Sequence, residues 1–290
     1  MSRVAIGIGI ICFAGKRPLP SAKGATVKNM DRIACGTFLF RSRFPDLSLI
    51  DFPAFLADRL KVHQIEIFSG HFPDTSLDYC RRVRDAADRS NSKVINLQMD
   101  QPGYNLSSED KSNREKSVQS VKKWMDRAMA CGSTSLRANT GRGKRFDLET
   151  TADSFRRLAE YGASIGLKVL VENHGGHSNK AENIVAIIKA VNSSWLRSLP
   201  DFGNIQGNDE KRHSFLKKIL PYADLISAKG MYFDDDMKHS PYDIGACVRL
   251  AESVGFKGIY SLEQWAPKPI EADDLSVARY LIQVILGNLS

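Results

Sequence analysis

Cysteine is sparse and unpatterned in this sequence. Its five copies (Cys12, Cys35, Cys80, Cys131 and Cys247) are odd in number and show no CxxC spacing. That excludes a disulfide framework and a zinc knuckle, and reads as free thiols in a reducing compartment. Long apolar runs are also missing. The longest, Val4 to Gly15, covers about twelve residues after a short basic start, too few to cross a bilayer. It resembles the apolar stretch of a signal peptide, with Ala22 and Gly24 placed for cleavage, but Lys16, Arg17 and Lys23 stand between the run and that point. The expectation is a cytoplasmic protein, with export as the alternative if residues 1–24 are such a signal. No Pro/Ser-rich linker divides the chain, and no GK[ST] tripeptide is present to make a P-loop.

Acid is absent from residues 1–30, which hold Arg3, Lys16, Arg17, Lys23 and Lys28. That segment alone contributes +5 of the net +8, leaving 36 basic against 33 acidic side chains in residues 31–290. So even a balance gives no extended basic face, and neither nucleic acid nor a membrane is expected as a partner. With 42% apolar and 26% charged residues over 290 positions, the chain has the composition of a globular protein with a sizeable core. Disorder and collagen-like repeats are excluded.

From residue 31 onward, a short apolar or β-branched run followed by a longer amphipathic stretch recurs about every thirty residues. The strand candidates are 32–40, 64–68, 93–99, 134–139, 168–173, 196–201, 224–229 and 258–263. Helices are predicted near 51–61, 75–90, 110–131, 149–165, 179–192, 209–220, 241–254 and 272–287. Asp74 and Ser76 are placed to cap the second helix and Ser108 precedes the third, while Gly132, Gly166 and Gly255 end helices. Eight such units in about 260 residues predict an α/β fold, a single (β/α)₈ TIM barrel over 31–290, with 1–30 as an N-terminal extension. The reactive end of such a barrel is the one where its strands terminate.

Side-chain alternation then selects the inward residues. Strand five, Lys168 to His174, turns Leu170, Glu172 and His174 to one face. Strands six and eight end in Asp201 and Glu263. Three carboxylates converging on one small mouth repel unless a cation sits among them, and oxygen donors with an imidazole suit Mg²⁺ or Mn²⁺, with Co²⁺ or Zn²⁺ as further candidates. Strand seven adds Ser227 and Lys229 on one face, the lysine either facing substrate or neutralising Asp201 or Glu263. Strand four offers Arg137 and Asn139, followed by the loop Gly141 to Arg145, placed for a substrate anion or simply solvated. His71 follows the second strand within reach of the mouth. Trp265 is placed to wall the pocket against the apolar face of a sugar.

Taken in order, Glu172-Asn-His-Gly-Gly, Asp201-Phe-Gly-Asn, Ser227-Ala-Lys-Gly-Met-Tyr-Phe-Asp234 and Tyr260-Ser-Leu-Glu263 resemble the xylose isomerase-like TIM barrels, over residues 31–290. That family includes sugar phosphate isomerases, ketose 3-epimerases and inosose-handling enzymes. The resemblance implies a divalent-metal-dependent isomerase or epimerase acting on a small sugar, keto-sugar or polyol. The ion is held by Glu172, Asp201 and Glu263. The family's strand-seven histidine is Ser227 here, so His174 or water completes the shell. It further implies that Glu172 and Glu263 take and return a proton beside a carbonyl, and that Lys229 bonds the oxyanion or a hydroxyl. His174, Arg137, Asn139, Asn204, Trp265 and His71 are the substrate-binding candidates, and a homo-oligomer is the expectation by analogy.

Three alternatives stay open. The three-zinc abasic-site endonucleases of the same superfamily need histidines this sequence does not supply, since Asn204 and Ser227 stand where two would be. A barrel that binds sugar without turning it over is the second. Lyase or dehydratase chemistry, which begins with the same proton abstraction, is the third.

Overall fold

The computed structural model describes residues 27–44, 46–234, 236–265 and 273–290. The signal-like run and Cys12 lie outside the described residues. Eight strands make one parallel sheet: β1 (Ile33–Gly36), β2 (Gln64–Phe68), β3 (Lys93–Gln98), β4 (Ser135–Ala138), β5 (Lys168–Glu172), β6 (Leu196–Leu199), β7 (Leu225–Gly230) and β8 (Ile259–Gln264). β1 pairs with both β2 and β8. The seam between β6 and β7 is held by the single bridges Ser198 to Ala223 and Asp201 to Ser227. The result is a (β/α)₈ TIM barrel, as the alternation predicts.

The outer helices are α1 (Phe52–Leu60), α2 (Leu77–Arg89), α3 (Lys111–Ala130), α4 (Leu148–Ile165), α5 (Ala181–Val191), α6 (Asp209–Ile219), α7 (Ile244–Ser253) and α8 (Asp274–Leu286). Their starts follow local chemistry. Ser76, Asp147, Asn208, Asp243 and Asp273 each accept a hydrogen bond from a backbone N–H in the first turn of the following helix. Two boundaries differ from expectation. α3 is capped by Asp110, whose carboxylate reaches two free N–H groups, so Ser108 lies outside the helix. β1 stops at Gly36, not residue 40, because the chain coils into a 3₁₀ turn over Thr37–Arg43, where the Thr37 hydroxyl accepts the Phe68 N–H. Among the described residues no helix is long and apolar enough to cross a membrane.

Most of the core lies between strands and helices, from Ile33 and Phe40 round to Leu281 and Ile285. Inside the barrel only a small plug is apolar: Ala34, Ile95, Leu170, Leu199 and Leu225. Above it the lumen is polar. Glu66 accepts from Asn96 Nδ2 (2.6 Å) and Ser261 Oγ (2.5 Å), and Ser135 Oγ donates to Asn96 Oδ1 at 2.8 Å. Burial outweighs these hydrogen bonds and the charge of Arg137 and pushes the Glu66 carboxyl up to about 7.

Candidate active site

The next level up is a ring of charge. β4 and β5 pair with Arg137 opposite Leu170, so Arg137 and Glu172, two residues beyond Leu170, both point inward. Arg137 Nε lies 2.9 Å from Glu172 Oε2. β7 and β8 pair with Lys229 opposite Glu263, and the Lys229 ammonium lies 2.8 Å from Glu263 Oε1 and 2.6 Å from Asp201 Oδ2. Its third contact is a donated hydrogen bond to Asn204 Oδ1 at 2.9 Å. Glu263 Oε2 accepts from Gln98 Nε2 (3.0 Å), reaching across the mouth from β3, and from Ser227 Oγ (3.2 Å).

Asp201 stands just past β6, held to β7 by its single bridge to Ser227. Asn173 clamps it from the other side: its amide donates to the Asp201 carbonyl (2.9 Å) and accepts the Asp201 N–H (2.8 Å). The carboxylate then takes the Gly203 and Asn204 N–H groups on Oδ1 at 2.8 and 3.0 Å. Asn173 points away from the lumen by strand parity, which is why the sequence reading passed over it.

Burial and charge oppose each other here. Burial raises the Asp201 carboxyl, to about 7, and the Glu172 carboxyl, against the pull of Lys229 and Arg137. At Glu263 burial is outweighed by Lys229 and by the Gln98 hydrogen bond, which hold it near 2. Lys229 itself is penalised by burial, yet Asp201, Glu263 and Glu172 raise its pKa, so it stays an ammonium at neutral pH.

A cavity of about 600 Å³ opens above this ring, lined by Phe38, Phe68, Gln98, Asp100, Arg137, Arg142, His174, Asn204, Lys229, Glu263 and Trp265 among others. Six of the residues singled out in the sequence therefore share one wall: Arg137, His174, Asn204, Lys229, Glu263 and Trp265. Glu172 and Asp201, both fully buried, sit behind Asn204 and Lys229 instead of on the wall. Arg142 brings the loop after β4 into the cavity, and Phe38, Phe68, Gln98 and Asp100 join from β1 to β3, which carried no motif.

Three candidates take places that the sequence did not give them. His71 does not reach the mouth: it stacks on Phe44 at 4.1 Å and lines a separate cavity with Arg41 and Ser48. Asn139 lines a side cavity and approaches the wall only through His174, whose Nδ1 lies 3.1 Å from its amide nitrogen. His174 is taken up by that contact and is not part of the acid cluster. Burial, then the charges of Arg137 and Lys229, lower its pKa to about 4, so its ring is neutral.

Oxygen atoms of Glu172, Asp201 and Glu263 lie within 4.8 Å of one another, a spacing at which one metal ion could be shared. Among the described residues this is the one group of three metal-ligating side chains brought together, and it contains no histidine or cysteine. Glu172 Oε2 lies 2.9 Å from Arg137 Nε and Asp201 Oδ2 2.6 Å from the Lys229 ammonium. Oxygen-only donors are what a hard divalent cation takes, but these two atoms already face a cation of the chain.

The sequence profile described as xylose isomerase-like TIM barrel matches residues 55–283. No curated protein sequence matches the chain. Solved structures that resemble it include a xylose isomerase domain-containing protein from Salmonella typhimurium LT2 (TM-score 0.69, 16% identity, 89% of this chain and 98% of that one). An apo 3-keto-D-glucoside 4-epimerase from E. coli has TM-score 0.69 and 13% identity over 87% of this chain and 99% of its own. A magnesium-bound xylose isomerase-like TIM barrel protein from Mycobacterium smegmatis has TM-score 0.65 and 16% identity over 89% and 98%. At such identities these neighbours speak to the fold.

Proposed function

This chain belongs to the xylose isomerase-like TIM barrel family, and from that premise we propose that it is an isomerase or epimerase that moves a proton next to the carbonyl of a small sugar, keto-sugar or polyol. One observation carries the reading: Glu263 and Lys229, a carboxylate and an ammonium 2.8 Å apart, share the wall of a cavity sized for a small polar molecule. Removing a proton beside a carbonyl creates an enediolate, and the site must accept the proton on one group and the negative charge on another. Glu263 is the proton acceptor, because of the triad it alone lines the cavity. Lys229 holds the oxygen. The neutral member of its three acceptors, Asn204, also lies on the wall, so a substrate oxygen takes that place.

Glu172 and Arg137 fix the far side of the ring, and Trp265, 43% exposed at the rim, offers an apolar face to a sugar ring. Kinship with proteins named epimerase, such as the E. coli 3-keto-D-glucoside 4-epimerase, supports this reaction class. The test is deuterium exchange: protein incubated in heavy water with a panel of keto-sugars should label the carbon beside the carbonyl. Glu263→Gln should slow labelling about 10²- to 10⁴-fold, the usual worth of a general base. No labelling across the panel overturns the reading, and loss of water from a labelled substrate redirects it to a lyase.

A further inference from the structure

We propose that Lys229 is the resident cation of the acid triad and keeps a divalent ion out of it, so that this barrel works on its substrate with a tethered ammonium in the metal's place. The inference rests on the proposed reaction only for its catalytic half, since occupancy of the triad is decided without any substrate.

Four observations meet on this residue. The ammonium has three protons and three oxygen partners, from Asp201, Glu263 and Asn204, all at 2.6–2.9 Å. It is 3% exposed, and a buried ammonium so matched has no reason to leave. Charge comes next. Even with all three ionised, Glu172, Asp201 and Glu263 bring three negative charges against the two positive ones of Arg137 and Lys229. The remainder of one negative charge is too little to hold a divalent ion against two cations already in contact with its ligands.

The third observation is the packing of the lysine's stem. A Cβ on Gly203 would lie 2.9–3.0 Å from the β, γ and δ carbons of Lys229. The loop after β6 therefore closes on the stem with a residue that has no side chain, and the stem is built into the site. The fourth is Ser227, one pleat before Lys229 on the same strand. Its hydroxyl donates to Glu263 Oε2, as a spectator of the carboxylate and not as a ligand aimed at the centre of the triad.

The test titrates the metal-stripped chain with Mn²⁺ by electron paramagnetic resonance, beside Lys229→Met and the double variant Lys229→Met/Asp201→Asn. Wild type should show no stoichiometric site. Lys229→Met, with a stem of similar length and no charge, should bind one Mn²⁺ per chain at least about 100-fold more tightly, as removal of a cation from a shared ligand set requires. The double variant should lose that site. A saturable site in wild type that is lost in Asp201→Asn overturns the proposal, as does a folded Lys229→Met that binds no better than wild type.

A second measurement needs no variant at Lys229. The wild-type melting temperature should be the same in chelator and in millimolar Mg²⁺ or Mn²⁺, and a saturating rise on adding metal overturns the inference. Deuterium labelling in the presence of chelator separates the two readings: labelling that survives supports both. Labelling that stops on chelation and returns with metal leaves the proton-transfer reading standing and sinks this one. Absence of labelling under every condition sinks the reaction while the metal titration still decides the cation.

Discussion

Glu66 is the residue on which the barrel's pH dependence turns. It is fully buried, bonded to Asn96 and Ser261, and its pKa is raised to about 7 from an ordinary 4.5 by burial. A carboxyl raised on folding contributes its stability in the protonated form. That contribution is complete below pH 4.5 and is lost as pH rises through 7. Glu66→Gln keeps the shape and cannot ionise, and the Ser261 hydroxyl can turn to accept from the new amide. The variant should match wild type below about pH 5 and exceed it by about 3 kcal/mol above about pH 8 in urea unfolding, which is what a shift of that size is worth. Equal stability of the two proteins at high pH would mean that the Glu66 carboxylate finds a partner when it ionises. The inward parity of Glu66 is legible in the sequence, whereas its two partners, on β3 and β8, come from 30 and 195 residues away.

At the level of elements, the strand and helix ends of the sequence reading fall close to the observed ones, because each end carries its own signal: a side chain that caps, or a glycine at positive φ. Gly166 at φ 78° closes α4 and turns the chain into β5. Gly162, one turn earlier, has a different reason for being glycine. A Cβ there would stand 2.3 Å from the Leu167 carbonyl oxygen and 3.3 Å from Met125. Gly162→Ala should gain about 1 kcal/mol in helix propensity and lose about 1–3 kcal/mol as the α4–β5 connection is forced open. A net loss, read as a lower thermal midpoint, is the expected outcome, and a more stable variant would show that the connection yields freely. Where local signals are weak the reading slips. β1 was expected to run to residue 40, since Thr37, Phe38, Leu39 and Phe40 are good strand formers. The barrel rim bends the chain at Gly36 and puts Phe38 over the cavity instead.

For the whole molecule, closure of the barrel joins the start of β1 to α7 and the approach to β8. Arg32, just before β1, donates to both oxygens of Glu252 in α7 at 2.7 and 3.0 Å and to the carbonyls of Phe256 and Gly258. Its guanidinium also lies over the Tyr260 ring at 5.4 Å. Tyr260 and Ser290 donate to the same carboxylate. Burial works against the Glu252 charge, but these donors outweigh it and hold its pKa near 2. A depressed carboxyl contributes stability above its ordinary pKa of about 4.5, and that contribution fades as pH falls toward 2. Arg32→Ala should cost about 1.5–3 kcal/mol at neutral pH, the usual worth of hydrogen bonds to a charged group, since Tyr260 and Ser290 stay on the carboxylate. It should also flatten the loss of stability between about pH 4.5 and 2. Urea unfolding at the two pH limits measures both, and a variant as stable as wild type at neutral pH would show that the barrel closes without this clasp.

The sequence by itself determined the eight-fold alternation of strand and helix, the family, and which side chains face the lumen, because those depend on periods of two and three to four residues within one element. It placed Glu172, Asp201, Glu263 and Lys229 at one end of the barrel on parity alone. Only the tertiary structure decided what they do to each other. Register between β7 and β8 sets Lys229 beside Glu263, register between β4 and β5 brings Arg137 to Glu172, and the Asn173 clamp swings Asp201 under the same ammonium. Distances of this kind arise from strands that are far apart in sequence, and a few ångströms decide whether each carboxylate faces one of the protein's own cations.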